Sequence, residues 1–247
     1  MTRHFSLFAV VLFCLLLAVP FASAQDAPAA KTKVLLVTGV DYPGHKWRET
    51  TPALREAIEA DGTAEVRVVE DHEFLASDAI FDYDAIVLNM KNYDPTARMD
   101  QVAANLMQYV EEGGGISMIH FTCGAFPEWP EWKQLAGRNW DETKRGHDPR
   151  GPFTVVITDP EHPIVADMED FEADDELYTC LSDDGPKLHV IATATSKVDG
   201  LDYPIAFVME IGEGRVFHTV LGHDVKAIAL PGPSELIRNG CLWTAGD

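Results

Sequence analysis

Val34-Leu35-Leu36-Val37, followed by Thr38-Gly39-Val40-Asp41-Tyr42-Pro43-Gly44-His45, decides the fold. The four apolar residues run on without in–out alternation, which is the pattern of a strand covered on both faces. A glycine-containing loop breaks the run. Trp47 to Ala60 then places Ala53, Leu54, Ala57 and Ile58 on one helical face. The same cycle continues with strand runs at Glu65 to Glu70, Ala85 to Asn89 and Gly115 to Phe121. Between the last two lies a helical pattern at Ala97 to Glu112, stopped by Gly113-Gly114-Gly115. Further strand runs occur at Phe153 to Thr158, Leu188 to Ala194, Ile205 to Glu210 and Arg215 to Leu221. These follow one another closely, so an antiparallel edge or extension is expected there. A short helix near Glu131 to Ala136 and a final one near Ser234 to Trp243 complete the pattern. Strand and helix in alternation predict one α/β domain, doubly wound around a mostly parallel sheet.

The 247 residues are 46% hydrophobic and 24% charged, a composition that suits a folded globular chain. Lys and Arg total 19 against 40 Asp and Glu, a formal charge of −21. So acidic a surface repels phosphate backbones and anionic bilayers. Nucleic acid and membrane surfaces are therefore excluded as partners, and a neutral small molecule or a cation is left.

Arg3, the apolar run Phe5 to Val19 and the small residues Ala22-Ser23-Ala24 have the order of a secretory signal peptide. The apolar run is shorter than the ~20 residues of a spanning helix, which weighs against a retained anchor. Residues 1–24 are read as the leader, 25–32 as a polar tether and 33–247 as the domain, in the periplasm or secreted. Cys123, Cys180 and Cys241 would then be the mature cysteines. They allow at most one disulfide, and which pair would form it is open.

Ligands of open α/β sheets bind beyond the carboxyl ends of the strands. His45 follows the first strand, in a loop that also holds Asp41 and Trp47. His120 ends the strand after the triple glycine, and His223 follows the last strand in Leu221-Gly222-His223-Asp224. In Phe171-Glu172-Ala173-Asp174-Asp175-Glu176-Leu177-Tyr178, Asp174 and Asp175 read as solvated. Glu176 is instead drawn inward by the apolar residues behind it. His147 sits in a polar loop able to cover a site, and His162-Pro163 reads as a turn. Trp47, Trp129 and Trp132 are either platforms for a sugar face or ordinary packing. Three imidazoles and a carboxylate suit acid–base chemistry or a divalent metal, with His120, Glu176 and His223 as its ligands. No His-x-x-x-His or Cys-x-x-Cys spacing exists, so this rests on convergence in space. Cys123 offers a rival, a thiol nucleophile served by His223.

Gly44-His45, Gly113-Gly114-Gly115 leading to Ile119-His120, and the stretch Trp129 to Leu135 together resemble the ThuA-like (trehalose utilisation) family. So do Asp159-Pro160-Glu161-His162-Pro163, Asp175-Glu176-Leu177-Tyr178, and Gly214-Arg215-Val216-Phe217 with Leu221-Gly222-His223. The resemblance runs from about Lys33 to Trp243. It implies a class I glutamine-amidotransferase-like fold, a flavodoxin-like three-layer sandwich, from which the Cys-His-Glu triad has been lost. It also implies a part in disaccharide breakdown through 3-keto sugars. Carried over, His45, His120, Glu176 and His223 match the recurring polar positions, as does His147. The expected protein is an exported lyase or hydrolase acting on a 3-keto-glycoside, metal-assisted or not. His120 or Glu176 would be the base, His223 the acid and His45 the oxyanion partner, with Asp41, Trp47, His147 and Tyr178 binding substrate. A small-molecule carbohydrate is the expected partner, and a homo-oligomer is left open. The rivals are a non-catalytic sugar-binding module and the Cys123/His223 hydrolase.

Overall fold

Continuous apolar runs place β1 (Thr32–Val37), β2 (Ala64–Val69), β3 (Ala85–Leu88) and β4 (Gly115–Ile119) side by side. With β9 (Gly214–Thr219) they form a parallel block in the order β2-β1-β3-β4-β9. The computed structural model describes residues 30–246. The leader read over residues 1–24 and most of the tether lie outside the described residues, and β1 begins at Thr32 inside the expected tether. No helix among the described residues is long and apolar enough to cross a membrane.

Adjacent residues of β1 serve opposite faces. Val34 and Leu36 pack with Leu54 and Ile58 of α1 (Trp47–Glu59) and Ile237 of α5 (Pro231–Ala245). Leu35 and Val37 pack with Val102 and Leu106 of α2 (Met99–Glu111). Each such side chain contributes about 1.5–3 kcal/mol when fully buried. Helices on both faces make three layers, as the unalternated runs predicted.

The sheet is mixed rather than mostly parallel. Beyond β9 it continues through β8 (Asp202–Ile211), β7 (His189–Thr195), β5 (Gly151–Ile157) and β6 (Phe171–Asp175), each pairing antiparallel. The reason is connection length. Ile211 pairs with Gly214, so Gly212-Glu213 is a two-residue hairpin, whereas a parallel neighbour would need a crossover of a dozen or more residues. The extension has its own core, in which Phe207 and Phe217 meet Leu236 of α5. Four successive antiparallel pairings return β6 to the direction of β9. The end of β6 thus reaches the same edge as the ends of β1, β4 and β9. Two short helices, α3 (Trp132–Ala136) and α4 (Val225–Ile228), complete the set.

Candidate active site

His120 is where β4 stops. The strand pattern predicted continuation to Phe121, but His120 adopts φ +50 and opens a tight 3-10 turn. A left-handed backbone at a non-glycine residue costs roughly 1–2 kcal/mol, and such strain concentrates at functional sites. The imidazole is fully buried, with Nδ1 2.6 Å from the carbonyl of Val220. A carbonyl only accepts, so the ring proton sits on Nδ1 and the Nε2 lone pair faces the site. There the Tyr178 hydroxyl donates to it at 2.8 Å.

His223 is brought alongside by the loop after β9. Gly222 takes φ +119 there, and a Cβ at that position would lie 2.8 Å from Ile119. The Asp175 carboxylate accepts from the Gly222 backbone N–H at 2.7 Å and from that of Glu176 at 2.8 Å. Asp175 is therefore not solvated, as expected from its acidic neighbours, but 1% exposed. Burial raises its pKa. Its inward place follows from period-two alternation in β6, where Ala173 and Asp175 are buried and Glu172 is exposed.

Glu176 emerges directly from this clamp. One carboxylate oxygen is 3.2 Å from His223 Nδ1 and 3.6 Å from His120 Nε2, and the other is 3.6 Å from His147 Nε2. Burial pushes its pKa up, but the hydrogen bond from His223 Nδ1 and the surrounding imidazoles outweigh that and hold the carboxyl well below the usual range. The bond to Glu176 in turn raises the His223 pKa.

His45 completes the group. Its ring stacks flat on Phe121, with centroids 4.2 Å apart. Neither ring nitrogen has a partner although both are buried. Burial, with His120 and His223 nearby, lowers its pKa to about 3, so the ring is neutral and has one lone pair to donate.

One donor atom from each of His45, His120, Glu176 and His223 lies within 4.8 Å of every other. His45, Glu176 and His223 line a cavity of about 270 Å³ together with Tyr178 and His147, and His120 is buried behind that wall. His147 arrives on an irregular ribbon, through its bridge to Tyr178 and the hydrogen bond from Asp148 N to the Leu177 carbonyl. Its Nδ1 bonds the Asp148 carbonyl at 2.8 Å, which leaves the Nε2 lone pair facing Glu176.

The donor set fits a divalent ion. Bonds of about 2.0–2.2 Å in a tetrahedron put neighbouring donors roughly 3.3–3.6 Å apart. The separations His223–Glu176, His120–His223 and His120–Glu176 are 3.2, 3.4 and 3.6 Å. An ion would also take up the orphaned lone pair of His45. Imidazole and carboxylate without thiolate suit zinc, manganese, iron or nickel.

The other expected residues fall elsewhere. Asp41 accepts from the Trp47 indole at 2.7 Å and pairs with Arg48, and neither Asp41 nor Trp47 lines the cup. Cys123 is sealed and its thiol pKa is pushed up by burial, so the structure lends the thiol nucleophile no support. Cys123, Cys180 and Cys241 are all free. Sequence reasoning missed Lys91, Tyr93 and Trp140 on the cup wall. Tyr93 and Trp140 stand in no periodic pattern, while Lys91 lies just past the end of β3, where the strand-end signal used for the histidines also applies.

Residues 33–244 match the family model described as ThuA, trehalose utilisation. No curated protein matches the chain. Among solved structures, a ThuA-like protein from Parabacteroides merdae superposes with TM-score 0.75 at 24% identity, covering 87% of this chain and 90% of that one. One from Bacteroides uniformis gives TM-score 0.71 at 19% identity, covering 90% and 94%. A β-galactosidase from Bacillus circulans shares the fold at TM-score 0.57 and 11% identity, over 87% of this chain and 31% of that one.

Proposed function

Because the chain belongs to the ThuA (trehalose utilisation) family, we propose that the cup of His45, His120, Glu176 and His223 is the reaction centre of a carbohydrate-active enzyme working with a bound divalent metal. One observation carries the reading: donor atoms from four distant segments converge within 4.8 Å. A parallel block with sheet order β2-β1-β3-β4-β9 supports reading that half as a flavodoxin-like, class I glutamine-amidotransferase-like core. The leader-like residues 1–24 support export to the periplasm or beyond.

The proposed substrate is a 3-keto-glycoside. Its C3 ketone acidifies the C2 proton. A base takes that proton, the electron pair forms the C1–C2 double bond, and the C1–O bond breaks with protonation of the departing oxygen. The unsaturated ketone is released, or water adds across it to complete hydrolysis. A metal in the cup would supply Lewis acidity toward the ketone oxygen. The chain supplies the proton transfers. His147, whose Nε2 lone pair faces the cup from outside the donor set, is placed to act as base. The imidazolium of His147 formed in that step returns the proton to the departing oxygen. Tyr178, whose pKa burial keeps well above its usual value, stays protonated and would orient that oxygen once its bond to His120 Nε2 had passed to an ion.

The test is turnover by the purified protein on oxidised and unoxidised disaccharides, with and without chelator. Cleavage of the 3-keto compounds alone, lost with chelator and restored by a divalent ion, is expected. Turnover indifferent to both chelator and Glu176→Gln would overturn the metal-dependent mechanism. Binding without turnover on any substrate would favour a sugar-binding module.

A further inference from the structure

The cup shares a wall with a second cavity of about 480 Å³. Lys91, Tyr93, Gly124 and Trp140 line both. At about 270 Å³ the cup alone falls just under the usual range of roughly 300–1,000 Å³ for small-molecule sites. The adjoining annex is the larger of the two.

Three features of the annex are unexplained by the chemistry of the cup. Trp132 lines it and is 3% exposed, yet its indole N–H has no partner. Buried donors are almost always bonded, so an orphan calls for an acceptor. Phe126, also in the lining, adopts φ +50. Its backbone N–H donates to the Asn92 side chain at 2.6 Å, and Asn92 is held in turn by Glu128. Phe126 and His120 are the two non-glycine residues with positive φ among the described residues.

The third feature is Lys91. No carboxylate pairs with it among the described residues, despite the chain's charge of −21. Its ammonium lies 5.3 Å from the Tyr93 ring and 5.9 Å from the Trp140 ring, contacts of cation–π type. The side chain rests on Gly124, where a Cβ would approach its Cδ, Cε and Nζ at 3.1 Å. Lys91 and Gly124 thus form the seam between the cavities. The annex is not a trap for anions, because Lys133 is committed to Asp184 and Glu142 adds negative charge. Aromatic faces with a few hydrogen-bond donors match the apolar C–H face and hydroxyl rim of a sugar ring.

Resting on the carbohydrate reading of the cup, we propose that the annex is a second glycosyl subsite. The substrate is then a disaccharide-sized glycoside lying across both cavities, with its linkage at the seam. Lys91 donates a hydrogen bond to the linkage oxygen or an adjacent hydroxyl, and Trp140 is the platform for the second ring.

The experiment is calorimetric binding of trehalose, maltose, cellobiose and lactose against glucose and galactose. The proteins compared are the zinc-loaded wild type, Trp140→Ala, Trp140→Phe and Lys91→Met. At least one disaccharide should bind the wild type about tenfold more tightly than its component monosaccharides. Trp140→Ala and Lys91→Met should lose that advantage while keeping zinc affinity, and Trp140→Phe should retain much of it. Equal affinity for the two sugar sizes, or a disaccharide advantage that survives Trp140→Ala, would overturn the subsite and leave the cup reading standing. Absence of binding by any of these sugars would overturn the subsite, while turnover of 3-keto disaccharides decides the cup reading separately.

Discussion

The parallel and antiparallel halves of the sheet bring different chemistry to one edge. The parallel block supplies His45, His120 and His223, three imidazoles on loops that follow β1, β4 and β9. The antiparallel extension and its ribbon supply the carboxylate of Glu176, the phenol of Tyr178 and His147. Without the extension the donor set would hold imidazole lone pairs but no carboxylate, a weaker trap for a cation. The parallel half sets the edge, and the extension closes and charges it. Everything chemical in the account depends on the joint between them.

The largest effect should come from that joint. Phe217 of β9 is fully buried, and a Cβ on Gly240 of α5 would meet its ring at 2.3 Å. Phe217→Ala should cost about 3–5 kcal/mol in urea unfolding. A cost under about 1 kcal/mol would mean that the halves are not packed as one unit.

Asp175→Ala tests the polar clamp. It leaves the buried N–H groups of Gly222 and Glu176 without their acceptor, at a cost of roughly 1–3 kcal/mol. By displacing Glu176 and His223 it should also weaken divalent-ion binding about 10–100-fold. Asp174→Ala, one residue away and bonded to Arg150 and Lys226, is the control that should leave ion binding unchanged.

Acid should loosen the extension before the parallel block. Buried Asp148 accepts from Ser196 at 3.0 Å and from the Lys197 backbone at 2.9 Å, and pairs with Arg145. Burial raises its pKa, but these partners prevail and lower it. A folded pKa below the unfolded value of roughly 3.9 means that the stabilisation is fully present above that pH. It is lost as the pH falls through the folded value. Hydrogen exchange at falling pH should therefore show the segments around residues 145–148 and 196–199 opening first, and Asp148→Asn should remove that acid-dependent step. An acid profile identical in the variant would contradict the assignment.

The smallest effect belongs to the surface bridge. Arg150 links Asp174 of β6 to Asp224, which caps α4. Arg150→Ala should cost no more than about 1 kcal/mol in thermal unfolding. A larger loss would mean that exposed charge, rather than Phe217 and Asp175, ties the halves together.

The difference between the halves also explains what the sequence could and could not show. The unit from β1 to α1 was legible because an unbroken apolar run and a helical stripe are both strong periodic signals. His45, His120 and His223 could be nominated because each stood at the end of such a run. The extension was harder. β6 is hidden because its acids suggest charge rather than alternation, and Asp175 looks solvated in the sequence for the same reason. Trp140 carries no local signal, and Lys91 carries only its place just past β3. Trp140 is placed by its bridge to Leu181, and Lys91 by its seat on Gly124, contacts that exist only in the folded chain.

The most direct measurement is calorimetric titration of chelator-treated protein with zinc and with manganese, in the wild type and in His45→Ala, His120→Ala, Glu176→Gln and His223→Ala. If the two halves build one cation site, the wild type binds a single ion per chain. Each variant, whether its residue comes from the parallel block or the extension, then loses most of that affinity while still unfolding cooperatively. Absence of ion binding in the wild type, or undiminished binding in Glu176→Gln, would contradict it.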